Sequence, residues 1–112
     1  MKIRPLESAI QKQIMDYLQM RRLFFWRNNT TGRMVQGRYI PTAGLVGASD
    51  ILGLYKGKFV ALEVKRDAKS KPTPEQVAFM ARVEREGGYA QTVWEVAQVF
   101  KLLDRIDRES DF

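Results

Sequence analysis

Asp50, Glu63 and Lys65 are the residues of this chain whose types and spacing could do chemistry together. The stretch from Gly47 to Arg66 reads as a β-hairpin that carries Asp50 on its first strand and brings Glu63 and Lys65 onto one face of its second. Magnesium or manganese needs hard oxygen ligands, and one or two carboxylates with waters and a phosphate oxygen satisfy it. Asp50 and Glu63 could supply those carboxylates, and the backbone carbonyl of Val64 lies in reach of the same position. A divalent cation held there polarises a phosphate and lowers the pKa of a water, while Lys65 could orient that water or stabilise charge on the phosphorane oxygens. Phosphodiester hydrolysis follows from that set. The structural alternative is a plain salt bridge: Phe59 to Lys65 is nearly unbroken in apolar residues until Glu63, so the strand should be central, and a buried acid there demands a partner that Lys65 could provide.

Composition narrows the chemistry. The chain has no histidine and no cysteine, which excludes serine-histidine triads, imidazole or thiolate metal sites, cysteine nucleophiles and disulfides. Carboxylates, lysine, tyrosine and a hard cation are left. Nineteen basic against 13 acidic residues give a net charge of +6, which suits a polyanionic partner such as nucleic acid, although solubility alone can account for such a charge. A length of 112 residues fits one domain, residues 1–112, that buries roughly two thirds of its unfolded surface. No apolar run is long enough to span a membrane and Met1 to Pro5 lacks the apolar core of a signal peptide, so the expected location is intracellular: cytoplasmic in a bacterial or phage-infected cell, or nuclear in a eukaryote.

The elements that must position these residues are legible in order. From Pro5 to about Leu23, Leu6, Ile10, Ile14, Tyr17 and Leu18 recur at helical spacing. Glu7 lies in the first turn of that helix, where the dipole favours an acid, and Gln11 projects from the same side. Leu23 to Asn28 is aromatic and short, as a strand is. Asn28 to Pro41 is a mobile loop or a frayed hairpin whose Arg33, Arg38 and Tyr39, with Arg27 before it, could contact phosphates or stack on a splayed base. Thr42 to Gly47 is small enough for a tight backbone approach beside Asp50. The hairpin turns at Tyr55-Lys56-Gly57-Lys58, and Arg66 to Pro72 is a charged link. Thr73, Pro74 and Gln76 announce a helix to Glu86 with a cap, a first-turn proline and a capping-box amide, and Gly87-Gly88 stops it. Tyr89 to Trp94 is a strand, Glu95 to about Ile106 a last helix with Val96, Val99, Phe100, Leu103 and Ile106 apolar, and Asp107 to Phe112 a fraying tail. A helix between two strands makes them parallel, so the sheet is mixed with helices on its faces. Lys56, Lys58, Arg66, Lys69 and Lys71 flank the hairpin as further phosphate contacts.

Asp50 followed by Glu63-Val64-Lys65, with a glutamate in a preceding helix, resembles the PD-(D/E)xK nuclease superfamily. Glu7, Gly47-Ala48-Ser49-Asp50, Glu63-Val64-Lys65-Arg66 and Gln76 together are similar to its VRR-NUC branch, the virus-type replication and repair nuclease module. Ser49 stands where the superfamily pattern has proline. The resemblance covers nearly the whole chain and implies an α/β, restriction-endonuclease-like core of order α-β-β-β-α-β whose third strand carries Glu-x-Lys. It also implies an endonuclease dependent on Mg2+ or Mn2+, without a small-molecule cofactor. Asp50 and Glu63 would be metal ligands, Lys65 the catalytic lysine, Glu7 a further acid and Gln76 a supporting amide. Stand-alone modules of this branch are similar to Holliday-junction resolvases that act as homodimers on branched DNA, and a two-fold dimer suits a four-way junction that needs two symmetric cuts. Leu45, Val46, Met34, Val35 and the aromatics could form such an interface or belong to the core. The rival readings are a non-cleaving nucleic-acid-binding module on the same fold and a flap or single-strand nuclease; RNA as substrate stays open.

Overall fold

Lys56 and Gly57 both adopt positive φ, 50° and 80°, the twist that a two-residue hairpin turn requires. They join β4 (Ile51–Tyr55) to β5 (Lys58–Val64), which pair antiparallel from Tyr55 with Lys58 to Ile51 with Leu62. The computed structural model describes residues 6–28, 33–40 and 46–110. Ahead of the hairpin come α1 (Glu7–Met20), β1 (Phe24–Arg27), β2 (Arg33–Val35) and β3 (Arg38–Ile40); after it come α2 (Pro74–Arg85), β6 (Tyr89–Val93) and α3 (Val96–Glu109). β2 and β3 pair only with each other, so of the two readings of this segment the hairpin holds. The main sheet has the order β1-β4-β5-β6, with β5 and β6 parallel across α2. Removing the β2–β3 hairpin leaves α1-β1-β4-β5-α2-β6, the expected α-β-β-β-α-β core, with α3 added after it. Among the described residues no helix is long and apolar enough to cross a membrane.

α1 and α3 share one face of the sheet. Ile10, Ile14, Met15 and Leu18 of α1, Val99, Leu102, Leu103 and Ile106 of α3, and Val60, Leu62 and Val64 of β5 form one buried cluster. Alternate residues of a strand point to opposite faces, so Ala61, Glu63 and Lys65 belong to the other face, where α2 lies. The apolar pattern differs from expectation at several residues. Leu6 and Phe100 are exposed, at 64% and 58%, while Met15 and Leu102 are buried instead. Leu6 is the N-cap residue ahead of α1 rather than part of its apolar stripe. Val77 is exposed as well, and α2 buries only Val83, since among the strands it packs mainly on β5 and β6.

The ends of α2 follow the sequence closely. Thr73 Oγ1 accepts from the Gln76 backbone N–H at 3.2 Å, and Gln76 Oε1 accepts from the Thr73 N–H at 2.8 Å, closing a capping box ahead of Pro74. Gly87 N–H donates to the Glu84 carbonyl and Gly88 N–H to that of Val83, with φ +94° at Gly87, a Schellman stop. Replacing Thr73 with alanine should therefore cost about 1 kcal/mol, read as a lower urea midpoint; an unchanged midpoint would mean the box contributes nothing.

The tail does not fray at Asp107. α3 continues to Glu109 because Asp107 is tied to the hairpin turn: Tyr55 Oη donates to its Oδ1 at 2.9 Å and Lys56 Nζ lies 2.8 Å from the same oxygen. At the other end Pro5 lies outside the described residues. So does Leu45, and the side chains of Met34 and Val35 are likewise not described; Val46 is 80% exposed.

Candidate active site

Asp50 occupies a bend one residue ahead of β4, rather than the strand itself. The cause is how its polar groups are used. Its carbonyl accepts from the Asn28 N–H at 2.8 Å, continuing the pairing toward β1, while its Oδ2 takes the Val64 N–H at 2.8 Å. The side chain has replaced the backbone as β5's partner, so the ladder stops at Ile51. Asn28 adds a second clamp through its Nδ2, which donates to the Ser49 carbonyl at 3.3 Å.

Glu63 is 0% exposed, and neither of its carboxyl oxygens has a hydrogen-bond partner. Its carboxyl nevertheless lies close enough to that of Asp50 to share a proton. Two ionised carboxylates are acceptors only, so the pair is bonded when one carries a proton and unbonded when both are charged. Burial, then the facing Asp50, push Glu63 up from an ordinary 4.5 to about 9; the Lys65 charge opposes this and the Glu7 charge adds to it. The hydrogen-bonded Lys65–Glu63 pair, which was the plain structural alternative, does not form.

That vacancy of partners fits a hard cation. The donors are two carboxylates, one anchored by a backbone N–H and one without any hydrogen bond, which is the set magnesium takes when waters and phosphate fill its remaining positions. Among the described residues no group of three or more His, Cys, Asp or Glu side chains closes on one point. Glu7 stands exposed at the start of α1 and is felt at Glu63 through its charge. Gln76 is half-buried and its Oε1 is taken by the capping box, so the sequence's capping role is realised with the amide Nε2 left over.

Gly47 brings α2 to this site. Its φ is +78°, and a Cβ there would lie 2.3 Å from the Glu75 carbonyl oxygen. The small residues before Asp50 thus allow contact with the first turn of α2. Ser49 beside it is fully buried and its Oγ has no partner.

The expected phosphate contacts fall into three groups. Arg27 is exposed at the Asp50 end of β1, and Arg66, Lys69 and Lys71 are exposed on the link that leaves β5 just after Glu63. That link is ordered by Asp67, whose Oδ1 accepts from the Lys69 and Ser70 N–H groups at 2.9 Å. Lys56 and Lys58 instead sit at the turn, the far end of the hairpin, five residues or roughly 17 Å from the carboxylates. Lys56 is also paired with Asp107. Arg38 is exposed in β3, and Arg33 lies in β2 with its side chain not described.

Sequence reasoning placed Asn28 at the junction of strand and loop without assigning it the clamp on Asp50. The strand registers align Asn28, Asp50, Glu63 and Thr92 in one row across the sheet. Nothing local marks that row, which emerges only when the pairings are known.

The sequence matches no protein-family model and no curated protein. Solved structures do match. One described as a VRR_NUC domain is 25% identical, covers 88% of this chain and 94% of its own, and superposes with a TM-score of 0.62. The chain has the VRR-NUC fold. A VRR_NUC domain protein, 17% identical with a TM-score of 0.61 over 91% of this chain and 88% of its own, shares the same fold. The VRR-NUC architecture is a nuclease-family fold, and Glu63-Val64-Lys65 runs off the end of its third core strand, β5, as the resemblance implies.

Proposed function

We propose that this VRR-NUC chain is a divalent-metal-dependent DNA endonuclease that cuts branched DNA as a homodimer, in the manner of a Holliday-junction resolvase. The observation that carries the reading is Glu63: fully buried, without a hydrogen-bond partner, and facing Asp50 at the end of the central strand. A carboxylate in that position is costly unless a cation or a proton occupies it.

Asp50 and Glu63 would hold Mg2+ or Mn2+, with the Val64 carbonyl as a further oxygen on the same strand. Such a cation supplies charge stabilisation at the phosphate and acidifies a water. Lys65, on the same face one step beyond Glu63, holds positive charge where the attacking water or the pentavalent phosphate would sit. The Val64 N–H fixes the Asp50 carboxyl, and Asn28 fixes its backbone, so the ligand pair is positioned before substrate arrives. Glu7 adds negative field from α1, which favours cation uptake, and the free Nε2 of Gln76 is a donor for a phosphate oxygen. Arg27, Arg66, Lys69 and Lys71 would hold the backbone on either side. Two-fold pairing would place two such sites for symmetric cuts.

A panel of four-way junctions, flaps, single strands and duplex, incubated with Mg2+ or Mn2+ and run beside a mass measurement in solution, tests this. Wild type should cut branched DNA as a dimer, and Asp50→Ala and Lys65→Ala should each lose at least about a hundredfold in rate. Cleavage that survives Asp50→Ala at the wild-type rate sinks the assignment. DNA binding that persists in chelator with no cleavage under any metal points to a non-cleaving module.

A further inference from the structure

The face that bears Asp50 and Glu63 continues past them. Two residues along each strand from the row Asn28, Asp50, Glu63 lies the row Trp26, Leu52, Ala61, and two further lies Phe24, Leu54, Phe59. Phe25 and Gly53, between them, belong to the opposite face, where the Phe25 ring sits so close over Gly53 that a Cβ there would meet it at 2.2 Å.

α2 covers this face mainly over β5 and β6. Ala61 and Glu63 are completely buried, whereas over β1 and β4 Phe24 is 66% exposed, Leu54 42% and Trp26 38%. The Phe24 and Trp26 rings lie 5.2 Å apart and tilted by 49°. An aromatic surface therefore begins about 7 Å from the carboxylate row, one two-residue strand step away, with no helix on it.

Its occupant can be argued from charge, area and continuity. A phosphodiester seated at Asp50 and Glu63, its strand running along the sheet, would send one of its flanking nucleotides over this same face. The approach is basic, since the chain carries +6 and Arg27 is exposed at the Asp50 end of β1. Three partly exposed side chains fall well short of the roughly 800 Å² per partner that stable pairing of two copies buries. Bases present an apolar face on every residue, and aromatic side chains hold them without regard to sequence.

We propose that Phe24 and Trp26 form a stacking platform for unpaired bases next to the scissile phosphate, so that the site selects DNA with a splayed strand over continuous duplex. This rests on the nuclease reading for which strand lies there. Inside a duplex the bases are already stacked on each other and present only edges, so the platform is of use only where a strand has opened.

Binding measured in chelator, where no cleavage occurs, separates this from catalysis. The probes are a labelled fork with an unpaired arm, the same fork with abasic residues in the arm, and the fully paired duplex. Wild type should bind the base-bearing fork at least fivefold more tightly than the abasic one. Trp26→Ala and Phe24→Ala should each weaken binding to the base-bearing fork by about 5- to 100-fold, as loss of one stacked base does, and leave the other two probes unchanged. Trp26→Phe should keep most of the affinity, which guards against a folding defect. Equal affinity of wild type for base-bearing and abasic forks overturns the proposal. So does a Trp26→Ala variant that turns a dimer into a monomer with its base preference intact, which would make this face a contact between copies. Cleavage without base preference removes the platform alone; base preference without cleavage removes the nuclease reading alone.

Discussion

Glu63→Gln should abolish metal-dependent cleavage and at the same time make the metal-free protein more stable at alkaline pH. The loss of rate should be on the order of a thousandfold, because several kcal/mol of charge stabilisation are removed with the ligand and about 1.4 kcal/mol is tenfold. The gain in stability follows from proton linkage. Glu63 is held protonated in the fold, with its pKa raised from 4.5 to about 9 by burial and by Asp50. Below 4.5 the folded and unfolded chains both carry the proton and the group is neutral in its effect on pH dependence. Between 4.5 and about 9 the unfolded chain has released the proton and the folded chain has not. Stability is therefore fully present at the acid end and falls as pH rises through that window, by up to about 1.4 kcal/mol per pH unit. Glutamine cannot ionise, so the variant lacks this slope: it should match wild type near pH 5 and exceed it near pH 8. Thermal midpoints of both proteins across that range, with and without Mg2+, decide the matter. Added Mg2+ should raise the wild-type midpoint at pH 8 and leave the variant where it was. A wild-type midpoint that is flat or rises between pH 5 and 8 without metal would show that Glu63 is not held as an unpaired buried acid.

Gly47→Ala is expected to be the most damaging glycine substitution among the described left-handed positions. Alanine there meets two obstacles at once. The φ of +78° is strained for any side chain, and the new Cβ would fall 2.3 Å from the Glu75 carbonyl oxygen and 2.4 Å from its carbon. Those atoms are backbone in the first turn of a capped helix and cannot swing aside as a side chain can. Gly57 supplies the control, since its φ of +80° is nearly the same and nothing lies within 4 Å of a Cβ there. Gly57→Ala should cost about 1 to 2 kcal/mol, from left-handed strain alone. Gly47→Ala should cost on the order of 3 to 4 kcal/mol, a fall of very roughly 10 °C or more in Tm. It should also reduce cleavage beyond what lost folding explains, because Asp50 follows three residues later and would shift relative to Glu63. Equal Tm values for the two variants would mean that α2 gives way easily and that Gly47 does not set the site.

Much of this was legible in the residues because it depends on local rules. The two-residue turn at Lys56 and Gly57 fixes the register of β4 on β5, and that register alone puts Asp50 across from Glu63. The unbroken apolar run of β5 makes it central, and the Thr73-Pro74-x-Gln76 pattern starts α2 where it does. The helix between two strands makes β5 and β6 parallel, through the handedness of a crossover. The position of Asp50 was off by one residue because its carboxyl, rather than its backbone, serves Val64, an exchange between side chain and main chain that no periodicity reports.

What the sequence by itself determined was the set of chemically able groups, once histidine and cysteine are absent, and the α-β-β-β-α-β order that carries them. The tertiary structure decided what those groups meet. It left Glu63 without the Lys65 hydrogen bond that its neighbour in sequence could have given. It extended α3 to Glu109 through Tyr55 and Lys56, residues half the chain away. It also sent α2 mainly over β5 and β6, so that Phe24 and Trp26 stay open beside the carboxylates. Each of these turns on contacts between residues distant in sequence, and such contacts are fixed by how the layers pack rather than by the spacing within any one element.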